Sequence, residues 1–147
     1  MLTAAHQAAL LNAVPSFAPV WAAHWADHLA YVSRYPEAAL SEAEAGQEFL
    51  GRLASHLGEQ IARGTHEEEL TWLFAALEPI YREAEEALWT ALTIGFLESV
   101  IYAVERKGGT AAHIRELTAG PETSAAWRAA YEYIHPPEDA RRGEPRS

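Results

Sequence analysis

Residues 87–104 read ALWTALTIGFLESVIYAV, and this stretch constrains the fold more than any other. Apolar side chains surround it rather than striping one side. A helix of that kind is contacted by neighbours on several sides, so it predicts a central helix, over residues 84–106, inside an all-α bundle. A membrane-spanning reading fits less well. The run sits at the short limit for a span, and Glu98 falls near its middle.

The rest of the chain supplies the helices that would surround it. Alanine occurs 30 times, and it is the best intrinsic helix former. A short first helix fits residues 3–13 and ends at Val14-Pro15, because proline disfavours helical geometry in the residue before it. Ser16 can cap a second helix whose stripe is Phe17, Val20, Trp21, Trp25, Leu29 and Val32. Ser41 and Glu44 have the capping-box spacing ahead of Phe49, Leu50, Leu53, Leu57 and Ile61. Gly64 suits a left-handed stop. Thr65 and Glu68 repeat the box ahead of Leu70, Leu73, Phe74 and Leu77, and Pro79 is expected to end or kink that helix. Gly108-Gly109 closes the central helix. A short helix with Ile114 and Leu117 follows, and Pro121 opens a last one.

The prediction is therefore one all-α domain of six or seven helices over residues 1–135. A polar, proline-rich tail at 136–147 is expected to be disordered.

Composition excludes several functions. There is no cysteine, hence no disulfide scaffold and no thiolate metal site. The formal charge of −10 argues against direct nucleic-acid binding and against an anionic membrane surface. That charge is uneven. Residues 1–36 hold one acid and one base, whereas residues 37–86 hold twelve acids and three bases. Glu67, Glu68, Glu69, Glu83, Glu85 and Glu86 are the concentrated set. They read either as a solvated face with favourable helix-terminus charges or as a surface that attracts a basic protein.

Catalytic signatures are sparse. His24 and His28 lie four apart on one helix and could share a metal. Trp25 stands where a zincin needs its glutamate, so a site would need a third ligand such as His56, His66 or His113. The alternative is that these histidines lie partly exposed beside a tryptophan-rich face. Glu132 and His135 give a single Glu-x-x-His string, and a di-iron bundle requires two. Glu98, if buried, needs a partner or a raised pKa. Arg52, Arg82, Arg115 and Arg128 are the candidates for a structural ion pair, and the functional reading is an acid, base or ligand. Serine-elbow, phosphate-loop and dinucleotide fingerprints are absent. Any exposed tryptophan or tyrosine would be a natural anchor for a protein partner.

The stretches Val14–Trp25, Thr93–Val100 and Leu117–Ile134 occur in that order in a family the chain resembles. Its members are small, all-helical, mostly bacterial domains of uncharacterised function. The resemblance implies a bacterial, cytoplasmic, single-domain helical protein and carries over no catalytic residue. By analogy of size and charge alone, the chain looks like the immunity partners of bacterial toxins.

The leading expectation is a non-enzymatic domain, without cofactor, that binds a basic protein such as a toxin or nucleic-acid enzyme. A metal- or small-ligand-binding bundle using His24, His28 and Glu98 is the alternative. A structural subunit that forms homo-oligomers through its aromatic surplus is the third.

Overall fold

A computed structural model describes residues 1–137. The tail expected at 136–147 lies, from residue 138 on, outside the described residues.

The described residues form an all-α domain. Its helices are α1 (Ala4–Ala13), α2 (Ala18–Arg34), α3 (Glu42–Arg63), α4 (Glu67–Glu83), α5 (Glu86–Thr90), α6 (Glu98–Arg106) and α7 (Pro121–Ile134). Short 3₁₀ turns occupy Pro36–Ala38 and Ala112–Leu117. A π-helical run, Ala91–Leu97, joins α5 to α6, so Glu86–Arg106 is one unbroken central helix. By length and composition it could cross a membrane, yet 56% of its most apolar window is buried inside the fold. That is how the core helix of a globular domain behaves.

The central helix lies between α3 and α7. Leu92, Phe96, Leu97, Val100, Ile101 and Val104 face these neighbours and are buried. It is not covered all round, because Ile94 and Tyr102 reach solvent. The closest approach is at Gly58 of α3, where an added Cβ would lie 2.5 Å from the Ala103 Cβ. Helix α4 completes the body by packing on α1 and α7.

Several boundaries follow from local chemistry. Ser41 and Glu44 form the reciprocal capping box, and Gly64 adopts φ 74°. Thr3 and His6 form another, with the imidazole Nδ1 in the place usually held by a carboxylate. Three expectations are corrected. Thr65 does not cap α4; its hydroxyl turns back to the Gln60 carbonyl, and His66 occupies the cap position without a side-chain bond. Ser16 does not cap α2, because its hydroxyl is bound elsewhere. Helix α4 also does not end at Pro79 but runs through it to Glu83. The carbonyl that Pro79 cannot serve belongs to Ala75, and both residues are exposed, so water can satisfy it.

One terminus is capped from outside. Glu78, buried on α4, accepts from the Glu122 and Thr123 amides at 2.8 Å each. Gly120 is needed there, since a Cβ would fall 2.5 Å from the Glu78 carboxylate. Burial alone would raise the Glu78 pKa, but the amides overcome it and hold the carboxyl below its ordinary value.

Candidate functional site

The two histidines of α2 part company. His24 Nε2 meets Glu48 of α3 at 2.9 Å, whereas the His28 ring lies against Trp25 at 4.8 Å. The proposed third ligands are engaged elsewhere. His56 bonds to Ser16, and the Nε2 atoms of His66 and His113 meet at 3.1 Å. Among the described residues no three His, Asp or Glu side chains gather into a metal-binding group. At the end of α7, His135 pairs with Glu105.

Glu98 is buried, at 5% exposure. None of Arg52, Arg82, Arg115 or Arg128 pairs with it; among the described residues its Oε2 has no partner. The expected ion pair is therefore corrected. Burial pushes its pKa up. Glu98 directly follows the π-helical run, whose buried Thr93 hydroxyl bonds to Tyr81 of α4 at 3.0 Å.

A cluster that the sequence did not reveal joins three segments. Ser16 Oγ contacts Glu69, His56 Nε2 at 2.8 Å and Gln60 Nε2 at 2.9 Å. The Ser16 amide also donates to Glu69 at 2.8 Å. Burial lowers the His56 pKa, against the pull of Glu69 and Glu59. Serine, histidine and glutamate here resemble a nucleophile site in composition only. The carboxylate binds the serine rather than orienting the imidazole. The Ser16 hydroxyl donates to Glu69, accepts from the Gln60 amide and meets His56 Nε2, so it is tied to three side chains at once. The cluster is a lock that holds the α1–α2 turn against α3 and α4.

The acidic set is divided by the fold. Glu69 turns inward to this lock, while Glu67 and Glu68 stay exposed at the start of α4. Glu83, Glu85 and Glu86 are exposed at its far end, roughly 24 Å away at 1.5 Å per residue. Between them the solvent face of α4 carries Thr71, Trp72, Ala75, Pro79 and Arg82 rather than acids.

Trp72 makes the start of α4 distinctive. It is 46% exposed and forms a wall shared by two surface depressions. One, of about 460 Å³, is lined by Glu67, Glu68, Thr71 and Trp72. The other, of about 530 Å³, runs between α1 and α4 over Ala9, Ala13, Ala75 and Ala76. Local sequence explains both. Glu67 and Glu68 are stabilised by the helix N-terminus, a spacing of four sets Trp72 beside Glu68, and Glu67 lines the same depression. Alanine at the α1–α4 contact lets the helices meet but fills little volume, which leaves a groove. An indole face beside two carboxylates suits a lysine or arginine side chain. The sequence did hold a signal: Trp72 falls off the Leu70, Leu73, Phe74, Leu77 stripe.

Residues 8–135 match the family described as a domain of unknown function, DUF7674. The chain belongs to the DUF7674 family. Neither a curated protein nor a solved structure matches it. In this DUF7674 chain the matched region contains α2 to α7, the Ser16 lock and the Trp72 surface.

Proposed function

We propose that this DUF7674 domain is a non-enzymatic protein-binding module that receives a basic segment of its partner at Trp72. The single observation that carries the reading is the half-exposed indole set between a carboxylate-walled depression and an alanine-floored groove. Exposed tryptophans are rare and are favoured anchors at interfaces, and Glu67 and Glu68 supply complementary charge for a basic partner. The Ser16 hydroxyl held by Glu69 and the enclosed Glu98 support a binding role over a catalytic one.

The partner class is a basic protein whose working surface faces phosphate, such as a toxin or nucleic-acid enzyme. Carboxylates at Glu67 and Glu68 would stand in for that phosphate. In this reading the domain serves as an immunity or inhibitor protein in a bacterial cytoplasm.

The test compares immobilised wild type, Trp72→Ala and a Glu67→Gln/Glu68→Gln double variant, each exposed to native-host extract at low salt. The reading expects one basic protein on wild type. Both variants should retain it at least about tenfold less, the scale of losing one interface anchor. Equal capture by Trp72→Ala would contradict the reading.

A further inference from the structure

Helix α2 leaves the body after its first turns. Phe17 and Trp21 anchor it on Phe49 of α3, and His24 reaches Glu48. Of its 17 residues, Trp21 alone is buried among the described residues. Beyond Trp25 the helix presents an apolar face to solvent, with Leu29 at 54% and Tyr31 at 56% exposure.

The spacing of that face is specific. Trp21, Trp25, His28, Val32 and Tyr35 follow one another at intervals of four, three, four and three residues. Trp21 and Trp25 lie on the core, and from His28 the row runs on past it with the four-three spacing of a helix-pair seam. The positions flanking the seam, which a solvated helix fills with charge, hold Leu29 and Tyr31. The rings are already ordered along the helix: Trp21 stacks on Trp25 at 5.4 Å and Tyr31 meets Tyr35 at 4.9 Å.

We propose that a second copy of this chain covers the face, in a two-fold dimer built on an antiparallel pair of α2 helices. Charge points to a like copy. Residues 1–36 carry only Asp27 and Arg34, so two such faces meet without the repulsion that a chain of charge −10 imposes elsewhere. The composition of residues 138–147, EDARRGEPRS, offers no large apolar side chain to cover it instead. The seam is self-complementary about Ala30: antiparallel pairing sets Trp25 opposite Tyr35 and His28 opposite Val32. Parallel pairing would set His28 on His28 and align the two helix dipoles.

Area sets the strength. A stable pair needs on the order of 600–800 Å² from each partner. Aromatic side chains give roughly 150–250 Å² each when fully buried. Leu29, Tyr31 and Tyr35 are about half exposed and Trp25 and Val32 less, so together they fall short of that area and the pair is a weak one. A dissociation constant on the order of 100 μM is expected for such a pair.

The proposal uses a different helix from the partner-binding reading and is tested separately. Sedimentation velocity of the full chain from about 1 to 500 μM should show a monomer–dimer equilibrium. Leu29→Glu and Tyr31→Glu lie on exposed positions and should each weaken it by tenfold or more, about 1.4 kcal/mol or above, with far-UV circular dichroism unchanged. Trp72→Ala should leave it unaltered. Leu29→Cys introduces the chain's one thiol, next to the two-fold axis, and should give a disulfide-linked dimer under mild oxidant, whereas Val20→Cys should not. A monomer at every concentration would overturn the proposal. So would a dimer indifferent to both glutamate variants, or a monomer that instead binds neutral phosphatidylcholine vesicles through α2.

Discussion

At the scale of single residues, two buried carboxylates do opposite things. Glu78 is held by two amides and keeps its charge at little cost; among the described residues Glu98 has no such partner. Glu78→Ala should destabilise the domain by about 2–4 kcal/mol, the loss of two charge-assisted bonds and a helix cap, read by urea titration. Glu98→Gln should stabilise it at pH 7 by roughly 1–2 kcal/mol, since a buried unpaired charge is removed. The pH dependences have opposite signs. Glu78 is lowered from 4.5, so its stabilisation is present above pH 4.5 and is lost as pH falls through its folded pKa. Glu98 is raised from 4.5, so the folded state keeps its proton longer and stability falls as pH rises from 4.5 through its folded pKa. Thermal melts of wild type and Glu98→Gln should therefore converge below about pH 4.5 and separate above it. Convergence at neutral pH would mean the carboxyl finds a partner in solution.

At the scale of elements, the helix-helix contact of α3 with the central helix is set by one glycine. Gly58→Ala gains helix propensity of about 1 kcal/mol but drives a Cβ to 2.5 Å from Ala103, and overpacking costs about 1–3 kcal/mol. A net loss of stability is expected. Gly51→Ala on the same helix meets nothing within 4 Å and should stabilise by roughly 0.5–1 kcal/mol. Urea midpoints that move the same way for both would contradict the close contact. Element ends were legible where one residue decides them: Ser41, Gly64 and Pro121 stop or start helices by their own chemistry. Pro79 was not legible, because its tolerance depends on Ala75 facing water, which only the packed fold determines. The α2 stripe was legible as apolar, but a pattern does not say whether the covering surface comes from the same chain.

At the scale of the whole molecule, the all-α class followed from the central apolar helix and the alanine content. The site was legible only in part. The glutamates are plain in sequence, yet the fold turns Glu69 inward and sends Glu83, Glu85 and Glu86 to the far end of α4. What remains at Trp72 is a small acidic surface whose meaning depends on which tryptophan is exposed. The central claim is that this surface binds a basic partner by charge and an indole anchor together. Its most direct measurement is the affinity for the captured partner at salt from about 50 to 500 mM, a range over which the screening length falls severalfold from above 10 Å. The account predicts a dissociation constant that rises steeply with salt in the wild type and is already weak in Glu67→Gln/Glu68→Gln. An affinity unchanged across that range would contradict it.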